Sequence, residues 1–190
     1  MNDYQNQRKW SDKFIPEIKR IVGYHLLEIS TLEQDTKQAT DLIILNGRDK
    51  RIAARMRKQK YENRYPHDIT IRSKIEGSNG HSVETEFSKL VAGYGDWMFY
   101  GFSKDDVSGE ISRWYLIDLN KWRLVLLKMG YLNKLQEFYR KNERSNFDGT
   151  YFIPFNLKNM PQIVIASSHL NELTAQNTLF GINENRQVLH

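Results

Sequence analysis

The sequence predicts a single α/β domain over residues 1–190, and three observations support this fold class. Apolar residues recur at helical spacing near the amino end, whereas apolar and polar residues alternate along residues 68–72. Two later stretches, DWMFYGF (96–102) and RWYLIDL (113–119), are rich in the aromatic and branched residues typical of strands. Because helices and strands follow one another along the chain, an α/β fold is favoured over an all-α or all-β fold.

The first predicted element is a helix. Ser11 or Asp12 can cap it, and Pro16 is tolerated in its first turn. Its apolar stripe repeats at helical spacing and consists of Phe14, Ile18, Ile21, Val22 and His25. The polar stretch 31–40 that follows is predicted to be a loop or a short edge strand.

A β-hairpin is predicted next, with strands at 41–45 and 52–58 joined by a turn that contains an Asn-Gly pair. Alternation places Arg55 and Arg57 on one face of the second strand. With a five-residue turn Asp41 falls opposite Arg55, although a shorter turn would change this register. Two interpretations stay open: an Asp–Arg pair that stabilises the hairpin by ~0.2–1 kcal/mol, or a functional cleft.

Further elements follow in alternation. Residues 67–75 form a half-buried strand, and a helix capped by Ser82 ends at Gly93 and Gly95. After the two aromatic strands, Asn120 can cap a helix that begins at Lys121. A helix at 131–142 and late strands at 150–157 and 162–167 complete the prediction. The elements divide into a core at 11–119 and a carboxyl-terminal portion of helices and strands at 120–190.

Basic residues are concentrated in one part of the chain. The net charge is +5, but residues 48–74 alone carry ten basic and three acidic residues, an excess of +7. Such an excess is typical of a surface that binds phosphates, and the alternative is a solvated charged face. The candidate nucleic-acid-binding residues are Arg48, Lys50, Arg51, Lys58, Lys60, Arg64, Arg72, Ser73 and Lys74.

Several other classes of protein are excluded or disfavoured. With 0 cysteines the chain has no disulfide and no thiolate site, which fits a reducing cytoplasm. No apolar run approaches the ~20 residues that span a bilayer, so no membrane partner is expected. The histidines lack zinc-binding spacing, no phosphate-binding P-loop motif occurs, and the adjacent Ser168 and His169 do not have the arrangement of a nucleophile and its base.

Residues 11–119 resemble the PD-(D/E)XK (restriction endonuclease-like) nuclease superfamily in the order helix, hairpin, third strand, helix and two further strands. The resemblance implies that Asp41, preceded here by Thr40 instead of proline, is the metal-binding aspartate. The acid-x-lysine of the family would lie on the second hairpin strand, which reads AARMR at 53–57. That strand has no carboxylate, and arginine stands where lysine is usual.

In some members of that superfamily the missing acid or lysine lies on the following helix, where this chain has Glu86 and Lys89. The resemblance therefore implies a catalytic set of Asp41, Glu86, Lys89, Arg55 and Arg57. Asp41 and Glu86 would hold Mg²⁺ if the protein is active, and the substrate would be DNA rather than RNA. The alternative is an inactive scaffold that only binds, or that blocks a host defence complex as an anti-restriction or anti-CRISPR protein.

Residues 70–102 also resemble proteins encoded by phages and prophages, through a Thr85-Glu86 pair and a GDWxFYG segment. This resemblance implies an origin in a phage or mobile element and assigns no activity. Trp97, Phe99 and Tyr100 in this segment are candidates to stack on unpaired bases. The alternative is that these aromatic residues belong to the core.

Overall fold

The fold is taken from a computed structural model, which describes residues 3–29, 42–44, 51–75, 86–131, 134–146 and 149–174. None of the helices in these ranges is long and apolar enough to cross a membrane. The helices are α1 (Asp3–Asp12), α2 (Ile15–Leu26), α3 (Gln59–Arg64), α4 (Glu86–Val91), α5 (Leu119–Lys128), α6 (Leu135–Asn142) and α7 (Leu170–Thr174). The strands are β1 (Leu27–Ile29), β2 (Leu42–Ile44), β3 (Ile52–Arg57), β4 (Asp68–Ile75), β5 (Trp97–Ser103), β6 (Ile111–Asp118), β7 (Arg144–Ser145), β8 (Thr150–Asn156) and β9 (Val164–Ser167).

The strands of the described ranges form three sheets. The largest has the order β3-β5-β6-β9, in which β3 runs parallel to β5 and the other neighbours are antiparallel. A second sheet has the antiparallel order β4-β8-β7, and β1 pairs with β2 in a third. The α/β class predicted from the sequence is therefore confirmed, with mixed strand directions in the largest sheet.

The four-stranded sheet is buried on both faces. Along β5, Met98, Tyr100 and Phe102 enter the larger hydrophobic cluster, whereas Phe99 enters a smaller one on the opposite face. The smaller cluster lies under α2, where Ile18, Ile21 and Val22 of the predicted stripe are buried together with Phe14, which directly precedes the helix. The side chain of His25 lies outside the described residues. The larger cluster contains residues of β4, β8 and the helices α4, α5 and α6, so the carboxyl-terminal portion shares this core.

The predicted hairpin of 41–45 with 52–58 is wrong for the described residues. β2 pairs with β1, and β3 pairs in parallel with β5 from Ile52↔Trp97 to Arg57↔Phe102. The physical reason is burial: Met56 packs under α2 while Ala53 packs into the larger cluster, so β3 needs a neighbour that is apolar on both faces. The local turn preference of an Asn-Gly pair does not outweigh this requirement.

Several helix boundaries differ from the prediction. Ser11 and Asp12 do not cap the apolar helix, because they end α1, and the apolar helix is α2 with Pro16 in its first turn. Asp118 caps α5 in place of Asn120, and its side chain accepts hydrogen bonds from the backbone N–H groups of residues 120 and 121 at 2.9 and 3.0 Å. The strands at 67–75, 96–102 and 113–119 and the late strands are confirmed as β4, β5, β6, β8 and β9. The loop at 31–40 and the cap Ser82 lie outside the described residues.

A buried arginine connects two helices to the sheet. Arg113 of β6 is 8% exposed and donates hydrogen bonds to Glu62 of α3 at 3.2 Å and to Glu172 of α7 at 2.8 Å. Tyr115 accepts a further bond from Arg113 at 3.3 Å, and the Tyr115 hydroxyl lies 3.1 Å from His67 Nδ1. Burial acts to lower the pKa of Arg113, but its bonds to Glu172, Tyr115 and Glu62 outweigh burial and raise that pKa.

His67 makes this polar cluster sensitive to pH. Burial lowers the pKa of His67, and the positive charges of Lys158 and Arg113 lower it further, against the opposing effect of Glu172 and Asp68. The unfolded chain therefore binds a proton at a higher pH than the folded chain does. Protonation consequently favours unfolding as the pH falls below about 6.5, the ordinary histidine value.

We expect His67→Gln to flatten the pH dependence of stability between pH 7 and 5. The wild type should lose unfolding free energy over this range, with a slope from His67 of at most ~1.4 kcal/mol per pH unit, because one proton is involved. Urea denaturation of both proteins at several pH values measures the difference. Parallel pH profiles for the two proteins would contradict the assignment to His67.

Candidate nucleic-acid interface

The two arginines of β3 share one face, as the strand alternation predicts. Arg55 Nη1 donates a hydrogen bond to Glu86 Oε2 at the start of α4, and the two side chains are 20% and 27% exposed. The same carboxylate oxygen accepts a bond from the backbone N–H of Arg72 at 3.2 Å. The sequence-predicted residues Arg55 and Glu86 therefore meet, and the carboxylate of Glu86 is held from two sides.

Arg57 is anchored further along the same face. Its Nη1 donates to Thr70 Oγ1 at 3.0 Å, and its guanidinium lies 4.1 Å from the ring centroid of Tyr61. The Thr70 hydroxyl lies 3.1 Å from the hydroxyl of Tyr100, which is 1% exposed. For Tyr100, and for the equally buried Phe99, the core interpretation is the correct one, and Trp97 packs against the smaller cluster.

An open cleft of about 420 Å³ lies beside the amino end of β3. The cleft is lined by β3 and the residue before it, by α4 and by the turn after α4. The lining residues are Arg51, Ile52, Ala53, Glu86, Lys89, Leu90, Tyr94 and Gly95. The cleft brings Arg51, which directly precedes β3, together with Glu86 and Lys89 of α4. The backbone N–H of Arg51 donates to Asp96 at 2.9 Å, and its Nε donates to the same oxygen at 3.3 Å.

A second basic surface, which we name the α3 surface, consists of Lys58, Lys60, Arg64 and Tyr65. None of the 6 residues of α3 is buried, and the ring of Tyr65 is 46% exposed. Lys60 lies 5.2 Å from the ring of Tyr61, and Arg64 lies 5.3 Å from the ring of Tyr65. Cations held over aromatic rings keep their charge available to solvent while losing mobility.

The one acidic residue of α3 contributes little to the outer side of this surface. Glu62 accepts bonds from the buried guanidinium of Arg113 and from the hydroxyl of Ser112, and its side chain is 17% exposed. Lys58 is partly compensated, because its Nζ lies 3.3 Å from Asp106. The outer side of α3 is therefore more basic than its composition alone indicates.

The other predicted binding residues are distributed unevenly. Ser73 is buried and its hydroxyl donates to Glu143, so it does not present a donor to a ligand in this arrangement. Arg72 is half-buried on β4. Arg48, Lys50 and Asp41 lie outside the described residues, as does the side chain of Lys74. The single basic surface predicted from the sequence is thus resolved into the cleft and the α3 surface.

Of the two predicted magnesium ligands, Glu86 lies within the described residues and Asp41 does not. The described residues contain no group of three or more His, Asp or Glu side chains that could hold a metal ion. Glu86, the predicted ligand among them, has its Oε2 engaged by Arg55 and by the backbone N–H of Arg72, so this oxygen is already used in this arrangement. We derive no metal-dependent step from this geometry, and the role of Asp41 stays a prediction.

Sequence reasoning missed α3, Tyr94 and the contact of Glu62 with Arg113. The segment QKYENR has no apolar stripe at helical spacing, so no periodic signal identifies it as a helix. Tyr94 stands between two glycines and is typical of a helix terminus rather than of a binding site. The contact of Glu62 with Arg113 joins residues 51 positions apart, so no local sequence pattern predicts it.

Comparison with known proteins gave no match to any family model, curated protein or solved structure. The interpretation of the two basic surfaces therefore depends on their own geometry and charge.

We expect the Arg55–Glu86 pair to couple by about 1 kcal/mol in a double-mutant cycle with Arg55→Met and Glu86→Gln, because both side chains are largely removed from solvent. Urea denaturation of the wild type, both single variants and the double variant gives this value. The control is the more exposed pair of Arg20 and Glu17, for which we expect weaker coupling. Equal coupling in both cycles would show that the Arg55–Glu86 pair is an ordinary surface ion pair.

Proposed function

We propose that the protein binds nucleic acid, with DNA as the first candidate, through the α3 surface. The observation that carries the proposal is the inward contact of Glu62 with Arg113, which leaves Lys58, Lys60 and Arg64 on the outer side of α3. Lysine and arginine bind the phosphate backbone, and each neutralised phosphate releases counterions. Binding of this kind is strong at low salt and carries little sequence preference.

The aromatic rings of α3 support the same proposal. Tyr61 lies beneath Arg57 and Lys60, and Tyr65 lies beside Arg64, so each ring holds a cation close to the protein surface. Cationic groups interleaved with half-exposed rings suit a nucleic-acid strand, because phosphates contact the cations while sugars or bases contact the rings. A solvated charged face would not require such fixed positions.

A nuclease is the second candidate, and one observation favours it. Glu86 and Lys89 of α4 line one cleft, next to Arg55, as the resemblance to PD-(D/E)XK nucleases implies for a site displaced onto the helix. The succession of α2, β2, β3, β4, α4, β5 and β6 resembles the expected order, with α3 added between β3 and β4. The pairing departs from that scaffold, because β2, β3 and β4 lie in three different sheets and β3 runs parallel to β5. We propose a degenerate member of that superfamily, in which binding is the retained property.

We expect Lys60→Ala/Arg64→Ala to weaken binding of a short DNA duplex by about tenfold to a hundredfold near 0.1 M salt. The plot of log affinity against log salt should become shallower by ~1 for each lost phosphate contact. Fluorescence anisotropy over a series of salt concentrations measures both quantities. Lys121→Ala/Lys128→Ala removes the same charge from exposed positions of α5 and should change affinity much less. Equal losses of affinity in both double variants would show that binding depends on total charge and not on the α3 surface.

We also expect binding to persist within about twofold when Mg²⁺ is removed by a chelator, because the proposed contacts are made by Lys and Arg side chains. The same mixtures, separated on a denaturing gel, test the second candidate. Cleavage that requires Mg²⁺ and is lost in both Asp41→Asn and Glu86→Gln would establish a nuclease. Binding that disappears with the chelator would contradict direct recognition by the α3 surface.

A further inference from the structure

Tyr94 combines a fixed backbone with an exposed ring. Its side chain is 60% exposed, although its backbone N–H donates to the carbonyl of Lys89 at 3.0 Å. The neighbouring N–H of Gly93 donates to Leu90 at 3.2 Å, and Gly93 has a φ of +99°. These two bonds form a Schellman motif that ends α4 and places Tyr94 directly after the left-handed residue.

Arg123 of α5 holds the same turn from the other side. Its guanidinium donates to the carbonyls of Leu90, Tyr94 and Gly95 at 2.6, 2.9 and 2.7 Å. Burial lowers the pKa of Arg123, and its own bonds are to neutral carbonyls and to the Asn120 side chain at 2.7 Å. The guanidinium thus serves to fix the turn, and the position of the Tyr94 backbone is determined before any ligand arrives.

The cleft that Tyr94 helps to line has an apolar and a basic part. Ile52, Ala53 and Leu90 provide the apolar part, which we call the apolar floor, and Arg51 and Lys89 provide the cations. Arg51 forms an ion pair with Asp96, and Glu86 forms an ion pair with Arg55. Within the described part of the chain no ion pair involves Lys89, so Lys89 is the cation most available to an anionic ligand.

We infer that this cleft takes one unpaired nucleotide of a nucleic-acid strand. The base stacks on the ring of Tyr94 above the apolar floor, and the adjoining phosphate binds Lys89 and Arg51. The volume of about 420 Å³ lies within the range of ~300–1,000 Å³ typical of small-molecule sites. This inference rests on the proposed function and extends it, because it adds a site that distinguishes single strands from duplexes.

A preference for single strands follows from stacking. In a duplex each base is already stacked on both faces, so engaging Tyr94 would require the base to leave the helix at a cost of a few kcal/mol. An unpaired base incurs a much smaller cost and gains the contact with the ring. The α3 surface, in contrast, binds phosphates that single strands and duplexes both present.

The test compares a twelve-nucleotide single strand with its duplex, each carrying one central 2-aminopurine. Tyr94→Ala should weaken single-strand binding by about 5- to 150-fold, the range for loss of one base–aromatic stack. Duplex binding should change by less than about twofold, since the duplex contacts phosphate-binding groups elsewhere. Tyr94→Phe keeps the ring and should retain single-strand affinity, and 2-aminopurine emission should change on binding to wild type and Tyr94→Phe but not to Tyr94→Ala.

Two controls separate stacking from charge and from folding. Lys89→Ala should weaken single-strand binding, whereas Lys128→Ala, at an exposed position outside the cleft lining, should not. Thermal unfolding of Tyr94→Ala is expected to match the wild type, because the ring is largely exposed. Free deoxyadenosine monophosphate is included as a competitor, since the same chemistry occurs in a mononucleotide.

The outcomes distinguish this inference from the proposed function. If Lys60→Ala/Arg64→Ala weakens both polymers while Tyr94→Ala changes neither, the proposed function stands and this inference is overturned. An equal loss for single strand and duplex in Tyr94→Ala also overturns it, as does competition by the mononucleotide at the concentration at which the single strand itself competes. Failure of the wild type to bind either polymer would overturn both.

Discussion

The ion pair between Arg113 and Glu62 is the contact on which the arrangement of the basic surfaces depends. α3 has no fully buried residue, although Tyr61 packs against the larger cluster, and the bonds of Glu62 to Arg113 and Ser112 attach the helix to β6. A buried guanidinium is costly unless its donors are satisfied, and here Glu62, Glu172 and the Tyr115 hydroxyl satisfy them. The same arginine therefore orients α3 and attaches α7 to the sheet.

The central sheet provides the second constraint. Since β5 and β6 are apolar on both faces, they accept α2 on one side and the aromatic cluster around Phe87 on the other. Phe87 stacks on Phe138 and Phe155, with ring centroids 6.0 and 6.5 Å apart, and meets Trp122 edge-on at 5.8 Å. α4 is fixed by this cluster through its buried face. Its exposed face then carries Glu86 and Lys89 to the cleft.

The sequence predicts elements better than it predicts their pairing. Alternation identifies β4 and places Arg55 and Arg57 on one face, and aromatic and branched residues identify β5 and β6. Strand pairing is harder to predict. The Asn-Gly pair indicated a local hairpin, yet β3 pairs with β5, which lies 45 residues later in the chain. Glu86 is proposed as a site residue through the resemblance to nucleases with an acid on this helix, whereas its contact with Arg55 depends on that distant pairing. Tyr94 carried no signal, since its exposure follows from the turn geometry.

The parallel pairing of β3 with β5 also determines when the cleft can exist during folding. β5 and β6 form a local hairpin, in which Phe102 and Arg113 are partners only 11 residues apart, whereas Ile52 and Trp97 are 45 apart. Loop closure costs more entropy for the longer separation, and non-local pairings form more slowly. The hairpin therefore provides the template, and β3 docks onto it later. On a ribosome, the cleft cannot assemble until the residues of β5 have emerged, so a growing chain acquires it only after about 45 further residues have followed Ile52.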